Sequence, residues 1–510
     1  MRILFVEIYV KTTEPMGIML LSALAKQKGH QTFLHILLQG DLREALEKIK
    51  PDIVAYSAMT GDHRYFLEAN KIVKNYNKSI FTIMGGKHPT FFPEILRASD
   101  LDAICIGEGD DAWPELLSVL ENKGDINDIS NIMTRENSAI FKLRNRCSNL
   151  DNLPFLDYDI CYRNTPLGKM LKRTIMTSRG CPYSCTYCFN HIYNKMYHGK
   201  GPVVVRQSVE RVIGEAKYLI SHWPTKFIKF YDDDFVLKLD DWLREFSERW
   251  PEEIGLPFHC LLRANVIARE PEILVLLKKA GVKSVMMSVE SGNDYVRNHL
   301  FKRNMSKDEL RQAFKKCWDL GIHTFSLAIL GVPISKTKER EFNLPNSLKR
   351  DIESLDINLE IHSTLAEYPI LVPYPRTEIG EYCRKNGFFD GNFDNFTVSY
   401  QSKSLLTCFT LKEKMIQQNL FMLGSIIQLF SGSRNGFMRM LVTPLRWLVI
   451  NCLIKLPFGK FYLIFYVLTV NYLYQAKLYR SDAFSWVGCF KNIFPLLRLN
   501  YFKQFEKTKK

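Results

Sequence analysis

Ser178-Arg-Gly-Cys181-Pro-Tyr-Ser-Cys185-Thr-Tyr-Cys188-Phe189 is the stretch that decides how this 510-residue chain is read. Three thiolates spaced C-x3-C-x2-C on one short loop can cap three corners of a cubic iron–sulfur cluster. The fourth iron is then left without a protein ligand. A zinc site would want a fourth ligand nearby, usually from a second C-x2-C or a His pair. No such pair follows closely in the chain. Gly180 and Pro182 shape a tight loop, and Thr174–Thr177 reads as the strand end feeding it.

Tyr187, directly before the last cysteine, completes the pattern. The loop resembles the C-x3-C-x-aromatic-C signature of the radical S-adenosylmethionine (SAM) enzymes. The resemblance implies that Cys181, Cys185 and Cys188 ligate a [4Fe-4S] cluster whose open iron is chelated by the amino and carboxylate groups of SAM. It also implies that the reduced cluster cleaves SAM to methionine and a 5′-deoxyadenosyl radical.

Downstream, strands and helices alternate. Strands are expected at Thr174–Thr177, Phe227–Tyr231, Phe258–Leu262, Ser284–Val289 and Thr324–Leu330, with helical patterns such as Pro271–Ala280 and Lys307–Leu320 between them. This predicts a partial (βα)6 barrel with functional residues at the carboxyl ends of its strands. Strand two ends in Tyr231-Asp232-Asp233-Asp234-Phe235; adjacent carboxylates repel, so such a run faces solvent or a cation. Strand three ends at Arg263, a fixed cation suited to a carboxylate. Strand four ends in Ser288-Val-Glu290-Ser291-Gly292. By the resemblance, Tyr187, Asp232, Asp233, Arg263, Glu290 and Ser291 contact SAM. Leu330-Gly331-Val-Pro333 and Pro373-Tyr-Pro375-Arg376 depart from the usual family wording, so substrate identity does not transfer with the chemistry.

Residues 1–120 also alternate strand and helix, with strands at Ile3–Val10, Thr32–Leu38, Ile53–Ser57, Phe81–Met84 and Ala103–Ile106 and a helix over Met16–Lys28. The pattern predicts an open, doubly wound Rossmann-like parallel sheet that binds ligands at its carboxyl strand ends. Ser57 and Met59 follow the third strand, Gly85-Gly86-Lys-His88 the fourth, and Gly107-Glu108 the fifth. Glycines there let backbone approach a bulky ligand. Taken in order, these elements look like the cobalamin (B12)-binding domain of B12-dependent radical SAM proteins. That implies cobalamin contacts at Ser57, Met59, Gly85, Gly86, His88, Gly107 and Glu108. The D-x-H-x-x-G motif of other B12 domains is absent, which implies no protein imidazole as lower ligand. His63 and His88 read as surface or hydrogen-bonding residues. Loss of cobalamin binding with the fold kept as a scaffold is the alternative.

Apolar residues make up 46% of the chain, ordinary for a globular protein with a sizeable core. The twelve scattered cysteines argue for a reducing, cytoplasmic compartment. Residues 401–510 carry 16 Lys and Arg against 3 Asp and Glu, so they hold +13 of the formal +15 and leave +2 for residues 1–400. Phe421–Phe430, Met440–Leu456 and Phe461–Ala476 are apolar and aromatic. The last of these is too short to span a bilayer. Basic residues beside aromatics suit an interfacial element on the inner membrane face, and a buried helical cap over the barrel fits equally. The apolar runs are too continuous for a nucleic-acid stacking surface.

The domains expected are therefore 1–120 for cobalamin, 121–165 as linker, 166–395 as radical SAM core, and 396–510 as a helical basic and apolar region. The function expected is cobalamin-dependent methylation of an unactivated carbon in a small-molecule, lipid or natural-product substrate. Methylcobalamin would donate the methyl group, a second SAM would restore it, and flavodoxin or ferredoxin would supply electrons. The rivals are a non-methylating cyclase or rearrangement enzyme, and a membrane-associated binding protein with a relic core. A methylthiotransferase would want a second cysteine triad, yet Cys105 stands alone before Cys147.

Overall fold

The computed structural model describes residues 1–9, 14–393, 396 and 403–479. The chain packs as two compact units. Among the described residues, the first comprises 1–9, 14–170, 192–207, 393 and 396, and the second 171–191, 208–392 and 403–479.

In the first unit, β1 (Arg2–Glu7), β2 (Gln31–Ile36), β3 (Ile53–Ser57), β4 (Phe81–Gly85), β5 (Ala103–Cys105) and β6 (Ile132–Met133) form a sheet in the order β2-β1-β3-β4-β5-β6. The first five are parallel and β6 is antiparallel. Ile3 to Val6 are wholly buried, as befits a parallel strand covered on both faces. The strands are joined through α1 (Met16–Gln27), α2 (Leu42–Ile49) and α3 (His63–Tyr76), and α4 (Ala112–Glu121) follows β5. Asp41 caps α2 by accepting from the Arg43 and Glu44 amides, satisfying donors the helix cannot. One core joins Val6, Val54, Tyr56, Phe66, Met84 and Ile104. Chain order reverses between β1 and β3, which opens a ligand crevice at the carboxyl ends of the strands. Residues 121–170 pack into this unit. Tyr158 and Tyr162 are buried, and the Tyr162 hydroxyl donates to Glu14 at 2.8 Å.

In the second unit, β7 (Lys172–Ile175), β8 (Phe227–Phe230), β9 (Phe258–Leu261), β10 (Val282–Met286), β11 (His323–Leu327) and β12 (Leu365–Glu367) lie in sequence order in one all-parallel sheet. They alternate with α5 (Val209–His222), α6 (Asp241–Glu253), α7 (Glu272–Lys279), α8 (Lys307–Asp319) and α9 (Ser347–Glu360). The doubly wound sheet and the six-stranded β/α unit both match the sequence reading. Strand ends shift by a few residues. β1 stops at Glu7, with Val10 outside the described residues, and β11 stops at Leu327, continued by single bridges at Ala328 and Leu330. β12, which sequence reading missed, has only three residues, all buried, too few to show a period.

The C-terminal region is built into the second unit. α10 (Leu411–Ser431) opens with a capping box, Thr410 with Glu413. Its Leu420, Phe421 and Ile427 share a core with Leu365 and Tyr368 at β12. A Cβ at Gly424 would fall 2.9 Å from the Tyr368 ring, so only glycine allows that contact. α11 (Val442–Asn451) and α12 (Gly459–Leu473) follow. Val449, Tyr462, Tyr466 and Val470 join the same core. The expected helical cap is present. The turn after α12 reaches the sheet itself, where Ser284 Oγ donates to the Leu478 carbonyl at 2.5 Å.

Candidate functional site

Two sites form at carboxyl strand ends, one in each unit. In the second unit the cysteine loop leaves β7 through Ser178 and Gly180, the latter at φ +90°. The backbone holds this loop. Thr186 N donates to the Phe301 carbonyl at 3.2 Å, Ile379 N donates to the Thr186 carbonyl at 3.1 Å, and Cys188 N closes a turn onto Cys185 O at 3.1 Å. Thr186 Oγ1 adds a bond to the Leu300 carbonyl at 2.7 Å. The Tyr187 ring packs edge-on against Phe301 at 4.9 Å.

The charged side chains expected here arrive in part and for different reasons. Asp232 is buried and accepts from Thr177 Oγ1 at 3.0 Å and Ser178 Oγ at 2.6 Å; it fastens the loop's entry. Asp233 is exposed. Asp234, which the sequence did not single out, is the carboxyl that meets the cysteines, with Oδ2 at 3.7 Å from Cys181 Sγ. Burial raises it to about 7. Burial and then Asp234 push the Cys181 thiol up.

Arg263 lies 3.6 Å over the Tyr183 ring and donates toward Cys185 Sγ at 3.7 Å. Arg303, also unread in the sequence, donates toward the same sulfur at 3.6 Å and stands 4.0 Å from Glu290 Oε1. Arg303 lies on an irregular stretch between helices, where neither period nor motif marks it. Burial holds the Tyr187 hydroxyl well above its usual range, with Arg303 opposing and Glu290 reinforcing the shift. The Glu290 backbone is at φ +63°, a region costly for a non-glycine residue. Bonds to both sides hold it there, from Glu290 N to Leu327 O at 2.9 Å and from Ile329 N to Glu290 O at 2.8 Å. Ser291 is buried and its Oγ accepts from Asn293 N at 3.2 Å. A Cβ on Gly292 would fall 2.0 Å from the Glu353 carbonyl oxygen.

Among the described residues no three His, Cys, Asp or Glu side chains converge on a single metal ion. Thiols on a multi-iron cluster need not converge, because each binds a different iron. The donor set fits such a cluster: three thiols outside any disulfide on a preformed loop, with two guanidiniums on one sulfur to offset its negative charge.

In the first unit, Ser57, Gly85 and Gly107 stand at or just past the ends of β3, β4 and β5. Gly86 has φ +96°, and a Cβ there would lie 2.8 Å from Ala58 O and 3.3 Å from Ser57 Oγ. Gly107 has φ +82°, and its Cβ would collide with the Tyr197 hydroxyl. That hydroxyl accepts from Glu108 N at 3.0 Å, and Glu108 Oε2 accepts from Cys147 N at 2.8 Å. Thr90, missed in the sequence, ties two strand ends together. Its Oγ1 donates to Gly86 O at 2.8 Å and accepts from Gly107 N at 3.1 Å. His88 is buried against His63, ring centroids 3.9 Å apart, with its Nδ1 3.1 Å from Thr60 Oγ1. Burial, then His63, lowers its pKa to about 3. Both imidazoles are buried and hydrogen-bonded, His63 Nδ1 accepting from Gly61 N at 3.2 Å, so of the two roles read in the sequence they take the hydrogen-bonding one and not the surface one. Met59 is 41% exposed. Close packing against Ala58 and Tyr197 thus makes glycine obligatory at both strand ends, and these strand-end loops, with the Ser57 hydroxyl among them, are the residues that would hold a corrinoid.

The comparisons agree with this division. A B12 binding domain model matches residues 3–117, and a radical SAM superfamily model matches residues 175–341. The chain is 28% identical over 393 residues to an uncharacterized methyltransferase of Pyrococcus horikoshii, covering 74% of this chain and 79% of that one. It is 24% identical over 374 residues to the hopanoid C-3 methylase of Methylococcus capsulatus, covering 72% and 68%. With the anaerobic magnesium-protoporphyrin IX monomethyl ester cyclase of Rubrivivax gelatinosus it shares 22% over 377 residues, covering 71% and 64%. Among solved structures, the cobalamin-dependent SAM radical enzyme OxsB, with aqua-cobalamin and SAM bound, aligns at TM-score 0.62 and 14% identity over 98% of this chain and 81% of that one. That likeness is one of fold.

Proposed function

This chain belongs to the cobalamin-dependent radical SAM enzymes, and from that premise we propose that it methylates an unactivated carbon of a hydrophobic small molecule. The [4Fe-4S] cluster, SAM and cobalamin together supply a 5′-deoxyadenosyl radical and a transferable methyl group. Cys181, Cys185 and Cys188 hold the cluster, and Arg263 and Arg303 hold the Cys185 sulfur. Glu290, with Tyr187 beside it, offers an acceptor for the amino group of SAM. Ser57, Gly86 and Gly107 form the corrinoid floor, fastened by Thr90. Asp232 holds the loop entry, and Asp234 replaces it and Asp233 as the carboxyl facing the cluster.

The observation that carries this reading is the meeting of the cysteine loop with Asp234, Arg263 and Arg303 at the carboxyl ends of one sheet. The hydrophobic substrate class is supported by the hopanoid and porphyrin relatives. Electrons come from a small redox protein of the flavodoxin or ferredoxin kind. None of the eleven cysteines among the described residues is in a disulfide, which supports a reducing, cytoplasmic setting. Contact of the C-terminal helices with a membrane face belongs to the same proposal.

The cyclase relative favours a second reading, oxidative ring formation without methyl transfer. The test is anaerobic reconstitution with iron, sulfide and hydroxocobalamin, then product analysis with SAM and a strong reductant. Iron near four per chain, retained corrinoid, and S-adenosylhomocysteine beside 5′-deoxyadenosine support methylation. 5′-Deoxyadenosine alone, with substrate consumed, moves the chain to the cyclase reading. No cluster and no cleavage sink both.

A further inference from the structure

We propose that the outer face of α12, with the turn before it, is a docking surface for an anionic lipid bilayer. It deepens the hydrophobic-substrate reading by placing the enzyme where such a substrate is dissolved, and it can fail without touching the SAM chemistry.

α12 has no charged side chain between Lys460 and Lys477. A surface helix of a globular protein normally carries one apolar stripe and an opposite polar one. Here both are apolar. Tyr462, Tyr466 and Val470 face the core, while Phe461, Ile464, Phe465 and Leu468, spaced i, i+3, i+4 and i+7, are 58%, 46%, 47% and 39% exposed. The Phe461 and Phe465 rings pack edge-to-face at 4.8 Å, making one solid apolar ridge. The turn into the helix adds Phe458 at 53% exposure. Apolar exposure clustered along one helix face in this way marks an interaction surface.

Charge selects the partner. No acidic residue occurs between Glu413 and Asp482, and the exposed Lys455 and Lys460 flank the turn into α12, while Arg434 and Arg439 of the same stretch are held over the Trp318 ring. Aromatic and aliphatic groups with basic neighbours and no acids suit the headgroup boundary of an anionic bilayer. A protein partner with an acidic rim would have no reason to meet a helix so uniformly apolar.

The geometry is that of lying on the bilayer, not of crossing it. Gly436–Lys455 is long and apolar enough to cross. Within it, however, Arg446 makes a two-point pair with Asp356 of α9 at 2.5 and 2.7 Å. That pair anchors α11 to the sheet's own helix layer, and a spanning arrangement would have to break it.

The test uses the full chain with phosphatidylcholine vesicles, with and without phosphatidylglycerol. The proposal expects co-sedimentation with the phosphatidylglycerol vesicles. It expects weakening by salt and a loss of about tenfold or more in a Phe461→Glu/Phe465→Glu variant whose SAM cleavage is unchanged. No sedimentation with either vesicle, or equal sedimentation of the variant, overturns it. Hydrogen exchange on lipid-free protein reads the other occupants. Protection of residues 461–468 that disappears when residues 480–510 are removed gives the face to the chain's own C-terminal segment. A concentration-dependent dimer abolished by the same variant gives it to a second copy. Either result also overturns the proposal.

Discussion

The two sites stand at the same topological place, the carboxyl ends of parallel strands, yet they are made in opposite ways. The site in the second unit is built from side chains: three thiols, the Asp234 carboxyl and two guanidiniums within 4 Å of a neighbour. The site in the first unit is built from the absence of side chains, at Gly86 and Gly107, where a Cβ has no room. A cluster demands specific donors, whereas the strand-end loops of the first unit keep their shape only while Gly86 and Gly107 pack closely on Ala58 and Tyr197. The first kind of site should therefore fail when a group is removed, and the second when one is added.

The largest expected effect follows directly. Cys185→Ala should abolish cluster assembly and SAM cleavage, while the melting temperature of the metal-free protein moves by only a few degrees, because Thr186 and Cys188 backbone bonds hold the loop without metal. Full iron content in this variant would break the assignment of Cys185 as a ligand.

Gly86→Ala tests the opposite construction. Its Cβ would sit at φ +96° and 2.8 Å from Ala58 O, a cost of about 1–3 kcal/mol. Corrinoid retention should fall about tenfold or more, at 1.4 kcal/mol per decade, with iron content unchanged. Thr90→Val should act in the same direction and more weakly, since it cuts the link between the Gly86 and Gly107 loops. Equal corrinoid loss from Cys185→Ala and Gly86→Ala would erase the contrast between the sites.

Legibility in the sequence divides along the same line. The cysteine spacing and the strand-end glycines were readable, because each is a local pattern with a local physical cause. Asp234 was not, because in a run of three carboxylates only the fold decides which one turns inward. Arg303 was not, because it approaches Cys185 from 118 residues away along the chain. Thr90 lies one helical turn past Gly86 and looks like any polar loop residue. β12 was too short to announce itself, and the apolar C-terminal runs did not say which stripe would face the core.

A smaller effect sharpens the charge-built side. Arg303→Met removes a donor from Cys185 Sγ and a countercharge 4.0 Å from Glu290. The cluster should still assemble, with its reduction potential lowered on the order of tens of millivolts, because hydrogen bonds to sulfur are among the levers that set it. Potentiometry followed by electron paramagnetic resonance reads this apart from turnover. An unchanged potential would make Arg303 a packing residue only.

A last effect falls on the pH dependence of the second unit's stability and on neither cofactor site. Its interior holds two further buried carboxyls, one at the end of β12 and one on α9. Burial raises Glu367 from 4.5 to about 7 and Asp351 from 3.8 to about 7. Both residues are 3% exposed. A carboxyl whose pKa is raised by folding keeps its proton longer in the native state. Its contribution is therefore fully present below the unfolded pKa and is lost as pH rises through about 7. Each group can account for on the order of 2–3 kcal/mol across that window, a shift of a few degrees in a unit of this size. Thermal melts should fall from pH 5 to pH 8, and Glu367→Gln with Asp351→Asn should flatten the slope. The amide oxygen that Glu367→Gln introduces would still accept from the Tyr474 hydroxyl, which lies 3.3 Å from Glu367 Oε1, so packing is kept while the titration is removed. An unchanged slope in the double variant would mean that these carboxyls ionise with water or a counterion beside them, and that buried charge in the second unit is not confined to the cysteine loop.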